Sequence, residues 1–354
     1  MAELSVRPIR LRLRSPLRTA WGELSERELL QVRLDFGSGD FGLGEAAPLE
    51  GYDPVSVAAV RSALDAYGAV LERASPRSTH AELLAACAAE RPLPQALAAV
   101  DLALWDRAGR RTGFPVAQLI AAGAVRAVPV NATLRVWDRA GAAEAAAAAA
   151  QAGFRCVKLK VGIGDDAGRV AAVRAAAGDA MAIRVDANGA WTTVEEALAN
   201  LRALAPAGIE LCEEPIHGLD AMRAVRAKSP VPVAIDETAA ERGAPGAGAA
   251  DAVCLKISRC GGISGVLRDA RAARAAGTKV YVASNFDGPL GIAAGIHAAA
   301  GLLASGPVAY CGLATLGAFE GLDGVLAPVH GSVSVPAGPG LLGGVEGLHT
   351  VCAC

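Results

Sequence analysis

The chain has 354 residues, with 34 Lys and Arg against 36 Asp and Glu and a formal net charge of -2. That length allows one large domain or two with a full core, and the near-neutral balance gives no basic field for nucleic acid or an anionic membrane. Eight Cys are scattered without a C-x-x-C pair, which fits reduced thiols in a cytoplasm better than a disulfide framework or a zinc site.

Arg10, Arg12 and Arg14 alternate with apolar residues near the start. The period of two predicts a strand with one wet face rather than a transit peptide, and no signal peptide is visible. Strands are expected over Val6–Leu13 and Glu28–Leu34, the second turning through "DFGSGDFG" into "GLGEAAP". Helical periodicity follows over Asp53–Arg73, Thr79–Glu90 and Leu93–Gly113. Strands followed by helices make residues 1–125 a compact α+β unit.

From Val128 the pattern alternates. Short β-rich runs appear at "VPVNATLRV", "RCVKLKVG", "MAIRVDANG", "IELCEEPI", "VPVAIDET", "AVCLKISRCGG", "KVYVASNF" and "VAYCGLAT", with amphipathic helices such as Thr193–Ala205 and Ile263–Ala276 between most of them. Eight strands with intervening helices predict an α/β fold, a closed (β/α)7β TIM-like barrel over residues 126–325, rather than an open doubly wound sheet. The Gly/Ala-rich stretch Gly288–Ala304 reads as a packed helix, because Leu and Ile are too few for a membrane span. The Gly/Pro-rich end, within residues 326–354, is expected to return to the first unit.

Two lysines interrupt the apolar run "FRCVKLKVG", Lys158 and Lys160. Alternate strand residues share a face, so two ammonium groups emerge side by side. Comparable charged residues end the following strands: Asp186, Glu213, Asp236 and Lys256. Counted from Lys160 they follow at intervals of 26, 27, 23 and 20 residues, each about one strand–helix–strand unit. In a barrel such positions converge on one mouth. A lone acid at a strand end is more often a helix cap or loop ion pair, but three acids and three lysines at one rim position need another explanation. Three carboxylates, with no His or Cys among the strand-end positions themselves, form a hard oxygen site for Mg2+ or Mn2+ rather than zinc. Flanking lysines suggest proton abstraction next to a substrate carboxylate, with Lys158 lowering the pKa of Lys160 and Lys160 reacting.

This constellation resembles the enolase superfamily, specifically its muconate-lactonizing-enzyme subgroup, whose members carry K-x-K, D-x-N, E-x-P, D-[ES] and K in this order. The resemblance covers almost the whole chain, including "RELLQVRL" and "GLGEAAPLEGYD" of an N-terminal capping domain. It implies Mg2+ bound by Asp186, Glu213 and Asp236, acid/base roles for Lys160 and Lys256, and supporting roles for Asn188 and Glu237. Trp21 and Tyr52 fall in the two loops that close over substrate in the family, and Asn285 and Asp287 stand where many relatives carry Ser and Glu. The end of the chain, "VASNFDGPLGIAAGIHAAAG" and "CGLATLGAF", looks most like o-succinylbenzoate synthases, which dehydrate a cyclohexadiene carboxylate in menaquinone synthesis. An N-succinylamino-acid racemase, a dipeptide epimerase and a muconate cycloisomerase are the alternatives. A small-molecule carboxylate is the expected partner, acted on by a cytoplasmic homo-oligomer with no nucleic-acid or membrane partner.

Overall fold

The computed structural model describes residues 2–19, 22–75 and 77–346. Trp21 lies outside them. Strands β1 (Glu3–Thr19), β2 (Gly22–Asp35) and β3 (Phe41–Ala46) form an antiparallel sheet in that order. β1 runs well beyond Val6–Leu13, and its register with β2 slips between Arg12 and Leu17. Pro16, which has no N–H to give the ladder, lies inside the slipped stretch.

Helices α1 (Val57–Arg73), α2 (His80–Glu90) and α3 (Pro94–Thr112) cover this sheet. The apolar stripe of α1 (Val60, Ala63, Leu64, Tyr67 and Leu71) is buried against Leu30, Val32 and Leu34 of β2, as helical spacing demands. The first helix starts later than Asp53 because the Ser56 hydroxyl accepts from Ala59 N at 3.1 Å and caps it. Tyr52 and Asp53 therefore stay in the preceding loop, free to reach the rest of the molecule. Gly42 and Gly44 let α3 lie directly on β3: a Cβ on Gly44 would stand 1.9 Å from the Ala99 carbonyl oxygen.

After α4 (Val116–Ile120), the run expected as a single strand divides. β4 (Ala127–Pro129) stays outside the main sheet, and β5 (Ala132–Leu134) opens it. β6 (Cys156–Lys160), β7 (Ala182–Asp186), β8 (Ile209–Glu213), β9 (Val233–Ile235), β10 (Ala252–Lys256) and β11 (Lys279–Ala283) follow in order, all parallel. The connecting helices are α5 (Arg139–Gln151), α6 (Asp166–Ala177), α7 (Val194–Leu204), α8 (Leu219–Arg226), α9 (Ile257–Cys260), α10 (Ile263–Ala275) and α11 (Pro289–Ala304). Between β9 and β10 the chain makes only short 3-10 turns, Glu237–Ala240 and Ala244–Gly246, because Gly and Pro are too dense there for a helix.

The last run, "VAYCGLAT", makes single bridges, Val130 to Cys311 and Ala283 to Gly312. Cys311 N donates to the Pro129 carbonyl and Gly312 N to that of Val282, each at 2.9 Å, so the ring closes between β11 and β5. β12 (Ser332–Ser334) then pairs with β4, and Leu341 N donates to Asp106 Oδ1 of α3 at 2.8 Å. α11 is buried along nearly its whole length, and among the described residues no helix is long and apolar enough to cross a membrane.

The contact at Gly44 gives a direct test of the α3–β3 junction. Gly44→Ala forces α3 off the sheet and is expected to cost about 1–3 kcal/mol or more, read as a lowered urea midpoint with an unchanged slope; an unaltered midpoint would show that the helix can move away freely.

Candidate active site

A cavity of about 420 Å3 opens at the C-terminal ends of the barrel strands, with Lys158, Lys160, Asp186, Glu213, Asp236 and Lys256 in its wall. The strand register brings them together. Lys160 lies beside Asp186 and Asp186 beside Glu213, while Glu213 lies beside Ala234, two residues before Asp236. All six charged positions found in the sequence therefore meet at one rim.

Like charges so close, and mostly buried, need counter-charges. Lys158 Nζ stands 2.9 Å from Asp186 Oδ2 and 2.6 Å from Glu213 Oε1. Burial disfavours its ammonium form, but Asp186 and Glu213 outweigh that and raise its pKa. Lys158 is thus tied to two of the acids, a contact that strand alternation does not foretell. Lys160 has no ion-pair or hydrogen-bond partner among the described residues, and its amine is open to the cavity. Lys256 differs again. Its buried Nζ is 2.7 Å from Asp236 Oδ2 and donates to Tyr52 Oη at 2.6 Å.

Burial works against ionisation of Asp236, yet Lys256, Lys158 and Arg259 together hold its carboxyl well below the usual range. Glu213 is pushed up to about 7, chiefly by burial, with Lys158 opposing. Its second oxygen accepts from Tyr281 Oη at 2.6 Å. Burial, reinforced by Asp236 and Asp186, pushes Glu237 up to about 8; Asn188 Nδ2 donates to it at 3.1 Å.

The donor set suits a hard cation. Ligand atoms of Glu213, Asp236 and Cys254 lie within 4.8 Å of one another, and Asp236 Oδ1 is buried without a partner among the described residues. Asp186 does not complete that 4.8 Å group and reaches it through Lys158. Burial lifts the Cys254 thiol well above its ordinary pKa, leaving it protonated and a poor ligand. Oxygen donors of this kind match Mg2+ or Mn2+. A second acidic group, Glu214 with His217 and Glu237, is already engaged. Glu214 accepts from Asp236 N at 2.7 Å, Thr238 N at 3.0 Å, the Thr238 hydroxyl and His217 Nδ1.

The first acid of "EEP" thus faces the cavity, and the second clamps the ends of β8 and β9 together.

Tyr52 reaches over the rim from the capping loop, and Arg259 Nη1 also donates to its hydroxyl, at 2.9 Å. Arg259 Nε further pairs with Asp53 at 3.2 Å, so this loop is fastened to the barrel. Asn285 lines the cavity, with Nδ2 buried and unpartnered among the described residues. Asp287 does not line it. It turns into the buried junction of the two sheets, where burial raises it to about 6 and Arg27 opposes. Next to it, burial and Asp287 push Glu45 to about 8, while Gly288 N donates to Glu45 Oε1 at 2.7 Å. The reason is geometric: Asn285 and Asp287 flank Phe286, whose φ of 56° turns the chain out of strand alternation.

Several wall residues were not singled out from sequence: Arg135, Trp137, Arg184, Tyr281 and Thr315. Arg184 Nε pairs with Glu210 at 2.9 Å below the acids. Strand alternation would have exposed it, since it stands two residues before Asp186. Glu214→Ala leaves two buried backbone N–H groups unmet and is expected to cost about 2–5 kcal/mol, measured by chemical denaturation, with Glu214→Gln less damaging; a loss below 1 kcal/mol would contradict the clamp.

With this geometry known, comparison with known proteins places the chain. Residues 1–121 match the family model for the mandelate racemase / muconate lactonizing enzyme N-terminal domain, and residues 141–346 match that for enolase C-terminal domain-like proteins. The chain is 38% identical over 219 residues to o-succinylbenzoate synthase of Thermobifida fusca, covering 59% of this chain and 66% of that one. It is 29% identical over 324 residues to the N-succinyl-L-Arg/Lys racemase of Bacillus cereus, covering 82% of this chain and 81% of that protein. The crystal structure of the Bacillus racemase superposes with a TM-score of 0.89 at 28% identity, over 100% of this chain and 98% of that one. A dipeptide epimerase from Cytophaga hutchinsonii, complexed with Mg and the dipeptide D-Ala-L-Val, superposes with a TM-score of 0.82 at 26% identity, over 96% and 94% of the chains. The chain belongs to the enolase superfamily, in its muconate-lactonizing-enzyme subgroup.

Proposed function

We propose that the cavity removes the proton α to a substrate carboxylate, and that the reaction is the dehydration of a cyclohexadiene carboxylate to an aromatic product, as in o-succinylbenzoate synthases. The observation that carries this reading is the inequality of the two lysines. Lys160 presents an amine with no partner among the described residues, whereas the Lys256 amine is held by Asp236 and Tyr52. A free amine suits a base and a fixed cation suits an electrostatic anchor. One base and one anchor are what an elimination needs.

Asp186, Glu213 and Asp236 would hold Mg2+ or Mn2+, which when bound would supply Lewis acidity beside the substrate carboxylate. Lys160 Nζ takes the α-proton. Lys256 faces it from β10 and stabilises the resulting enediolate. Lys160 then returns the proton to the departing hydroxyl, so that water leaves and the ring becomes aromatic. Asn188 and Glu237 steady the rim, and Tyr52 fixes Lys256 and screens it from water. Residues 1–125 act as the cap and residues 126–325 carry the chemistry.

A dipeptide's free ammonium needs an anionic partner, and the segment after the last strand offers no acid before Glu320, which is exposed. An N-succinylamino-acid racemase is the second reading, favoured by the arrival of two amines from opposite sides of the ring, on β6 and β10. The two differ in what they ask of Lys256. Arg keeps the cation but cannot serve as a base. Lys160→Ala should lower aromatisation of the cyclohexadiene substrate by about 100-fold or more, the typical contribution of a positioned base, as should Lys256→Ala, while Lys256→Arg retains measurable dehydration. Wild-type protein that exchanges the α-proton of N-succinyl amino acids in D2O but leaves the cyclohexadiene unchanged would overturn the lyase reading in favour of the racemase.

Chelation gives an independent check. EDTA should abolish turnover and added Mg2+ or Mn2+ restore it; turnover indifferent to EDTA would count against the carboxylate site.

A further inference from the structure

The three rim acids hold their oxygens differently. Asp236 keeps Oδ1 without a partner among the described residues. Asp186 Oδ1 accepts from Asn188 N at 3.1 Å, within its own turn. Glu213 is held from two sides of the barrel. Its Oε1 meets Lys158 Nζ at 2.6 Å, and its Oε2 accepts from Tyr281 Oη at the same distance. Because Lys158 Nζ also stands 2.9 Å from Asp186 Oδ2, Oε1 is the oxygen on the side of the other acid, and Oε2 is turned toward β11. In the sheet order β11 stands three strands beyond β8, so the phenol reaches across the barrel interior. Both partners are buried, each 2% exposed.

The phenol is itself braced. Tyr281 lies beside Cys254 in the β10–β11 register, and with Ala283, two residues on, it lines the cavity, as strand alternation requires. The Arg184 guanidinium sits 5.1 Å from its ring centroid, a favourable place for a cation over an aromatic face. That cation is fixed in turn: Arg184 Nε pairs with Glu210 at 2.9 Å, and Nη1 donates to the Tyr310 carbonyl at 2.6 Å. A rigid ring packed on a held cation has little freedom to move its hydroxyl. A phenol has one hydrogen to give and carries no charge, so it directs the Glu213 carboxylate without neutralising it. Lys158, on the other oxygen, supplies charge as well.

Divalent ions differ in what they ask of such a carboxylate. Ca2+ takes one or both oxygens into a large, flexible shell, whereas Mg2+ is smaller and demands near-octahedral geometry. We propose that Tyr281 is a positioning residue that makes Glu213 a one-oxygen ligand and thereby selects Mg2+ or Mn2+ against Ca2+. With Oε2 committed to the phenol, Glu213 offers Oε1 alone, and the larger ion loses the second oxygen it would use. The inference rests on the proposed cation site and is independent of which substrate reacts there.

Mn2+ binding followed by electron paramagnetic resonance, with Ca2+ as competitor, tests the selection without turnover. Wild type should bind Mn2+ more tightly than Ca2+. Tyr281→Phe should weaken Mn2+ about 10-fold, the scale on which the partners of metal ligands act. Ca2+ binding should hold or tighten, so the preference for Mn2+ falls by about 10-fold or more. A variant that weakens both ions equally, or neither, would overturn the selection, since a merely structural loss moves both alike. A wild-type crystal soaked in Ca2+ gives a check that needs no variant. Glu213 should meet the ion through Oε1 with Oε2 still on Tyr281, and a Glu213 that grips Ca2+ with both oxygens overturns the inference. Wild type that binds no Mn2+ sinks the cation site and the selection together, whereas Mn2+ binding with an unaltered preference in Tyr281→Phe sinks the selection alone.

Discussion

Three acidic side chains crowded at one low-dielectric rim repel one another, and the rest of the molecule is arranged around that repulsion. Two unit charges 4 Å apart near a protein surface interact by roughly 4 kcal/mol at an effective dielectric of 20, so the acids would separate or take up protons if left alone. Here Lys158 bridges Asp186 and Glu213, and Lys256 faces Asp236. The parallel register allows the acids no easy retreat, because Asp186 and Glu213 are directly paired positions on neighbouring strands. Glu214 fixes the next strand end from behind by accepting from Asp236 N and Thr238 N. Rigidity and charge are supplied together, which is what a preorganised electrostatic site requires.

The cap extends the same logic. Its contribution to the rim is one loop, and that loop exists because Ser56 starts the helix late. Tyr52 touches both Lys256 and Arg259, and Asp53 pairs with Arg259. An amine that would otherwise be mobile is thereby fixed, and of the three rim lysines Lys160 is the one without a partner among the described residues. Below, Glu45 binds the chain just ahead of α11 through Gly288, where a Cβ would collide with its carboxylate. The two sheets are thus joined by buried polar contacts as well as by apolar packing.

Much of this was legible in the sequence. The spacing from Lys160 to Lys256 carried the barrel, because one charged residue per βα unit has no other economical explanation, and the strand alternation put Lys158 and Lys160 on one face. The same alternation pairs Arg184 with Asp186 and Arg135 with Thr133, yet those arginines resemble ordinary strand polarity until the fold shows them facing inward. Asp287 misled for a related reason: two residues from Asn285, it should share its face, but the positive φ of Phe286 breaks the period. The division of "VPVNATLRV" between two sheets was hidden because which partner a strand finds is a tertiary matter. The ion pairing of Lys158 was likewise invisible, since side-chain distances across strands depend on register.

The central claim is that Asp186, Glu213 and Asp236 surround one divalent cation beside a free Lys160. Anomalous diffraction from crystals soaked in Mn2+ measures it most directly. The account predicts a single strong anomalous peak bounded by those three carboxylates. A peak instead at Glu214, His217 and Glu237, or none at the rim under saturating Mn2+, would contradict it.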